Sequence, residues 1–269
     1  MPWVEVAGTD IYYQECGEGQ PFVMLHGNSS CCEAWFQQFA HFQGRFRVIA
    51  YDSVNHGHSS NSPRDDDEPD RVDELEGFLA ALAIERPILA GNSMGAATIL
   101  RWAARHPADA RALIPSGMGV PPEGAAFAPA AARPLDEKTL FLPTGDALTE
   151  RFKADEPRMY ERYLRIRSTA TRLEAMRSPR RASVRSTAER ESLAGRITAV
   201  SSPMCIIAGG LDRLVPWCER LHGLVPGSEY HVVDGAPHNV YYEAAAAYNG
   251  IIDRFLERVL PRLEANSAR

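Results

Sequence analysis

Short apolar runs alternate with amphipathic stretches along most of this chain. Residues 3–6 and 11–14 flank Gly8-Thr9-Asp10 and predict a hairpin. Residues 21–26, 46–51, 87–90, 111–115, 204–208 and 230–233 are continuous apolar runs. Such runs suit strands buried on both faces of a parallel sheet. Between them, residues 73–83 set Leu75, Phe78, Leu79 and Leu82 on one helical face, at spacings of three and four. Residues 240–260 predict the longest helix, with Ile251, Ile252, Phe255, Leu256 and Val259 as its core face. Strand–helix alternation implies an α/β fold whose ligands bind at the carboxyl ends of the strands.

One region breaks the rhythm. From about residue 120 to 197 there is no strand signal. The segment begins Pro- and Ala-rich and becomes Arg-rich, with 15 of the chain's 29 basic residues and 11 of its 35 acidic ones. Within it, Tyr160, Tyr163, Leu164, Ile166 and Leu173 fall at amphipathic-helix spacing. We read residues 119–198 as an inserted helical cap, and residues 1–118 and 199–269 as the core domain. The cap's arginines form a solvated helix face, or else draw in an anionic substrate; the first account is the plainer one. Asp65-Asp66-Asp67-Glu68 lies in a predicted loop before a helix, whose N-terminus it favours.

Composition narrows the function classes. A length of 269 residues, 45% hydrophobic and 24% charged, is ordinary for a globular enzyme. A net charge of -6 argues against a nucleic-acid partner. No apolar run reaches membrane-spanning length, and residues 1–6 lack the character of a signal peptide, so a cytoplasmic location is expected. The five cysteines include the adjacent pair Cys31 and Cys32, and none shows metal-ligand spacing. We read them as core fillers rather than disulfide partners. No metal and no organic cofactor is expected.

The chemistry enters at Gly91-Asn92-Ser93-Met94-Gly95, between an apolar run and a predicted helix. A strand, a G-x-S-x-G turn and a helix are the setting in which a serine becomes a nucleophile. The pentapeptide alone is a weak signal, and a Gly-rich surface turn is its plain alternative. A serine hydroxyl needs a base, and the base needs an orienting carboxylate. Asp212 follows the run ending at Ala208, and His238 follows the run ending at Val233. Both candidates therefore sit at strand ends, in the order Ser, Asp, His. His26-Gly27-Asn28 follows another strand, so the Asn28 N–H can face the Met94 N–H across a developing oxyanion. His26 ends that strand and reads as structural. Trp35, Met118, Tyr160 and Tyr163 are candidate pocket residues, with core packing as the alternative for each.

These segments resemble the α/β-hydrolase superfamily over nearly the full chain. The matching pieces are His26-Gly27, the loop from Asp52 to Ser59, the elbow at Ser93, the Asp212 loop and the final His238. The resemblance implies an eight-stranded, mostly parallel sheet with a cap inserted after strand six. It also implies a Ser93-His238-Asp212 triad, with Asn28 and Met94 as backbone oxyanion donors. Two departures stand out: Val54-Asn55-His56-Gly57 replaces the frequent Pro-Gly-His-Gly, and Pro237 replaces the glycine often found before the histidine. Pro237 predicts a stiffer or displaced histidine loop. The His-Gly-Asn-Ser-Ser segment looks like acyl-homoserine lactonases and related esterases. The elbow and Asp212-Arg213-x-Val215-Pro216 look like carbon–carbon bond hydrolases, which usually have tryptophan where Asn239 stands. Hydrolysis of a small-molecule ester or lactone ranks first, carbon–carbon hydrolysis second, and a hydrolase-fold ligand receptor third.

Overall fold

A computed structural model describes residues 2–62, 70–121, 147–170 and 193–267, with side chains through residue 261. Eight strands form one sheet in the order β1-β2-β4-β3-β5-β6-β7-β8. They are β1 (Trp3–Val6), β2 (Thr9–Cys16), β3 (Pro21–Leu25), β4 (Arg47–Tyr51), β5 (Ile88–Asn92), β6 (Ala112–Ser116), β7 (Cys205–Gly209) and β8 (Glu229–Val233). The first two form the expected antiparallel hairpin, and β2 also runs antiparallel to β4. The remaining pairs are parallel. Strands β5, β6 and β7 are buried at every residue, as their unbroken apolar runs predict. Edge strand β8 is partly exposed.

A short 3-10 turn (Cys32–Trp35) leads into α1 (Phe36–Phe42). Then come α2 (Arg71–Ala81), α3 (Met94–Arg105), α4 (Glu150–Asp155) and α5 (Pro157–Ala170). The chain ends with α6 (Val215–Leu224), α7 (Val240–Glu243) and α8 (Ala245–Ser267). The long helix predicted over 240–260 is two helices, because Ala244 leaves helical geometry at φ -112 and ψ 42. One core cluster, with Phe22, Trp35, Tyr241, Tyr248 and Phe255, fills one face of the sheet. A second, with Tyr51, Phe78, Ile99, Leu100 and Leu221, fills the other.

The region between β6 and β7 contributes α4 and α5 to the described residues. Residues 122–146 and 171–192 of the expected cap lie outside them, as does the acidic run at residues 65–68. Helix α5 lies across the tops of other elements. The Tyr242 hydroxyl donates to Met159 O at 2.9 Å, and the Gly57 N–H donates to Ala170 O at 3.4 Å. Arg162 lies over the Phe36 ring, 3.5 Å from its centroid. Tyr163, Ile166 and Ala170 carry the buried face of α5.

A buried ion pair fixes the loop after β4. Glu74 is fully enclosed on α2, and its carboxylate accepts from Arg71 at 2.6 Å and from the Val54 N–H at 3.0 Å. Arg71 also donates to Val54 O. Burial raises the Glu74 pKa above the usual carboxylate value, against the pull of Arg71. The ionised form is therefore the costly one, and its cost falls as the pH falls. Arg71→Ala is expected to destabilise the fold by about 3–5 kcal/mol near neutral pH. That penalty should shrink as the pH drops toward the raised Glu74 value, as read by urea denaturation across pH.

Candidate active site

Gly91 and Gly95 explain the elbow's composition. A Cβ on Gly91 would stand 2.5 Å from the Gly95 carbonyl carbon, and one on Gly95 would stand 2.2 Å from Leu25 O. No side chain fits between the end of β5, the start of α3 and the end of β3. Ser93, between them, is held at φ 55 and ψ -110. A residue other than glycine occupies that region at a cost of about 1–3 kcal/mol. Its N–H donates to Ser116 O and its carbonyl accepts from Ala97, so both sides of the turn are pinned.

The accessible residues mark the site. Asn28, Met118 and His238 are half-buried between buried neighbours, as is the adjacent pair Ser93 and Met94. All five follow the carboxyl ends of strands β3, β5, β6 and β8.

His238 Nδ1 donates to Asp212 Oδ2 at 2.8 Å, which leaves Nε2 as the ring's acceptor. The Asp212 carboxylate is fully enclosed, and its other oxygen accepts from the Leu214 N–H at 2.9 Å. Two backbone bonds, Gly210 N–H to Val233 O and Leu211 N–H to Ala236 O, tie the Asp212 loop to the His238 loop. Pro237 leaves the histidine in reach of its acid. The Pro237 carbonyl packs where a Cβ on Gly209 would stand, 2.0 Å away. Ser93 joins the pair through its neighbours: Asn92 Nδ2 donates to Asn239 Oδ1 at 2.9 Å. Among the described residues, no hydrogen bond runs directly from Ser93 Oγ to His238. Such bonds commonly tighten only when substrate binds.

Two backbone donors flank Ser93. The Met94 N–H is the first of α3 and has no intrahelical partner, at the positive end of the helix dipole. The Asn28 N–H is aimed by His26. His26 Nδ1 donates to Gly27 O at 2.7 Å, and its Nε2 accepts from the Ser53 N–H at 3.0 Å. The Gly27 carbonyl and the Asn28 N–H share one planar trans peptide and point in opposite directions. The bond that draws the carbonyl toward His26 therefore turns the N–H away from it. A Cβ on Gly27 would stand 3.4 Å from the Ser93 Cβ, so the loop lies beside the serine. His26 is fully buried, and burial lowers its pKa, which keeps the ring in the neutral form that this pattern needs. Asp52, also buried, accepts from the Cys32 and His58 N–H groups and holds the same loop at its far end.

Other expectations divide. Trp35 is fully buried and packs on Tyr241 with ring centroids 4.2 Å apart, so it belongs to the core and not to a pocket wall. Tyr163 is 2% exposed, and its hydroxyl is bound to Asn239 at 2.7 Å. Met118 and Tyr160 are half-buried. Cys31 and Cys32 are enclosed, and burial beside Asp52 pushes both thiols well up, which makes them poor nucleophiles. Cys205, Glu229 and His231 bring metal-type ligand atoms within 4.8 Å of one another. Arg258 and His231 already donate to the Glu229 carboxylate, so a guanidinium holds the place a cation would take. Sequence reasoning passed over Ser116, Gly117 and Asn239. Gly117 sits at φ 58, and a Cβ there would press within 3.1 Å of both the Asn92 amide oxygen and the His238 ring. Its position directly after a strand was the available signal.

Comparisons with known proteins bear on the family and the fold. A model described as alpha/beta hydrolase family matches residues 22–251. A 2-hydroxy-6-oxo-6-phenylhexa-2,4-dienoate hydrolase of Comamonas testosteroni is 27% identical, over 92% of this chain and 91% of its own. A non-heme haloperoxidase of Rhodococcus erythropolis is 31% identical over 39% of each chain. Among solved structures, the enol-lactonase of Burkholderia xenovorans superposes with a TM-score of 0.76 at 23% identity, covering 96% of this chain and 100% of that one. At that identity the likeness speaks for the fold. Among the described residues, no helix is long and apolar enough to cross a membrane. The family match runs from β3 into α8, across Asn28, Ser93, Asp212 and His238, and this chain belongs to the alpha/beta hydrolase family.

Proposed function

We propose that this protein hydrolyses a small carboxylic ester or lactone through an acyl-enzyme on Ser93. The observation that carries the reading is the half-buried cluster at the strand ends. It holds a strained serine, a histidine already bound to a buried aspartate, and two unpaired backbone N–H groups. In the proposed sequence His238 Nε2 takes the Ser93 proton as Oγ attacks the substrate carbonyl carbon. The Asn28 and Met94 N–H groups stabilise the resulting oxyanion. Collapse breaks the carbon–oxygen bond, and His238 returns the proton to the leaving oxygen. Water, deprotonated by His238, then attacks the acyl-enzyme and releases the acid and free Ser93. Asp212 holds the tautomer and balances the imidazolium charge throughout.

Segment 119–198 acts in this reading as a cap over the core domain, with α5 as its described roof. Met118 and Tyr160 are proposed walls of the substrate space. The dienoate hydrolase relative favours carbon–carbon hydrolysis as the second reading.

A fluorophosphonate probe is expected to label the wild type, and Ser93→Ala to lose both labelling and ester turnover by roughly 10,000-fold or more. Equal labelling of the two would remove the nucleophile assignment. Labelling at Ser93 without turnover of any ester, lactone or ring-fission product would favour a receptor. Faster turnover of a vinylogous diketone than of any ester or lactone would favour the carbon–carbon reading.

His26→Ala is expected to lower kcat roughly ten- to a hundredfold, because the Asn28 N–H loses its orienting bond. The pH dependence of stability gives an independent check. The unfolded chain protonates His26 near the ordinary histidine value of about 6.5, whereas the native chain does so only at lower pH. This contribution is thus present above pH 6.5 and is lost as the pH falls below it. Thermal denaturation of the variant should depend less steeply on pH in that range; an unchanged slope would contradict a neutral buried ring.

A further inference from the structure

A buried polar chain runs from the nucleophile elbow to the roof helix. Ser116 Oγ lies 3.2 Å from Asn92 Oδ1, with Gly91 O as its alternative acceptor at 3.1 Å. Asn92 Nδ2 donates to Asn239 Oδ1 at 2.9 Å, and Asn239 Nδ2 donates to the Tyr163 hydroxyl oxygen at 2.7 Å. The Arg167 guanidinium, one helical turn along α5, lies 5.8 Å from the centroid of the Tyr163 ring. Ser116, Asn92, Asn239, Tyr163 and Arg167 are all at least nine-tenths buried.

Asn239 is the junction. Its amide N–H donates to Ala147 O at 3.2 Å, and its carbonyl accepts from the N–H groups of Tyr242 and Glu243. Every polar group of the residue is therefore engaged, and the residue directly follows His238. Its partner Asn92 directly precedes Ser93. The side-chain bond between these two asparagines thus fixes the spacing of the backbones that carry nucleophile and base. The Asn239 carboxamide is also shared with the roof. Tyr163 holds its second donor, and Ala147, on the segment leading into α4, holds its backbone.

We propose that Asn239 is a positioning residue that sets the distance between Ser93 and His238, and that Tyr163 couples this setting to the seating of helix α5. With the roof seated, Tyr163 keeps the Asn239 amide turned toward Asn92. With the roof displaced, the Asn239 NH2 group loses its acceptor, the amide is free to rotate, and the Asn92 bond that spaces the two catalytic backbones is weakened. The substrate that draws the roof down would then also complete the alignment beneath it. A buried carboxamide suits this task, because it donates and accepts in fixed, opposite directions.

The proposal rests on the hydrolase reading, and its test keeps the two apart. Fluorophosphonate labelling of Ser93 is followed under conditions that separate the maximal rate from the probe's apparent affinity, with melting temperature measured in parallel. Tyr163→Phe keeps the ring and removes the oxygen. It is expected to slow the maximal rate roughly tenfold, with unchanged probe affinity and a melting temperature close to wild type. Asn239→Ala is expected to slow it roughly a hundredfold. The double variant should be no slower than Asn239→Ala alone, because both changes break one chain. A wild-type rate in Tyr163→Phe, or effects that multiply in the double variant, would overturn the proposal. A wild type that Ser93→Ala does not alter would overturn the hydrolase reading and this proposal with it; labelled wild type with multiplying effects overturns this one alone.

Discussion

The backbone at Ser93 is the constraint from which the rest of the site follows. A serine at φ 55 and ψ -110 is held against its own preference, by about 1–3 kcal/mol. It stays there because the surrounding chain leaves it no alternative. Gly91 and Gly95 press against each other, and Gly95 also presses on the Leu25 carbonyl, so β3, β5 and α3 meet with no room for a Cβ. The same compression puts the first N–H of α3 beside the serine and brings the loop after β3 alongside it. The proposed nucleophile and oxyanion donors are thus one consequence of a single close approach, and they cannot be moved independently.

Polar groups complete what packing begins. His26 reads two backbone groups at once, the Gly27 carbonyl and the Ser53 N–H, and so ties the loop after β3 to the loop after β4. Asp52 repeats the tie through Cys32 and His58. Glu74 and Arg71 hold Val54 from below. Each is a buried group whose removal would leave partners unsatisfied in a dry environment, where an unmade bond costs more than a made one contributes. The loops that carry the chemistry owe their rigidity to these anchors, since loops contribute few apolar contacts of their own.

The strands were legible because burial on both faces forces an apolar run, and β5, β6 and β7 are buried at every residue, with Asn92 and Ser116 as the polar ends of the first two. Asp212 and His238 were legible for a related reason: each follows such a run by a few residues, and a parallel sheet gathers its strand ends on one edge. Contacts between distant residues were not. Asn92 and Asn239 are 147 positions apart, and neither has a local pattern that announces the other. Trp35 looked like a pocket wall because it lies near the His26 motif. Its stacking on Tyr241, 206 positions away along the chain, makes it core. The break at Ala244 escaped the periodicity because alanine favours helix and the apolar face continues beyond it. In this chain the local rule failed wherever tertiary contact chose among residues that local chemistry treats alike.

The same division bears on where this chain's selectivity resides. Its relatives carry names for very different reactions, from dienoate hydrolysis to halogen chemistry. The strand-end groups here are fixed by backbone geometry, so they present similar hardware to any carbonyl that reaches them. What varies freely is what covers them. In this chain α5 meets the site through one hydroxyl, Tyr163, and is otherwise seated by the Tyr242–Met159 and Gly57–Ala170 hydrogen bonds, by apolar contacts and by Arg162 over Phe36. Displacing this roof breaks those three hydrogen bonds, whereas the groups below it are held by backbone compression as well. On the proposed reading, discrimination between substrates falls to what covers the site, and the bond-making step to the part that is held under strain.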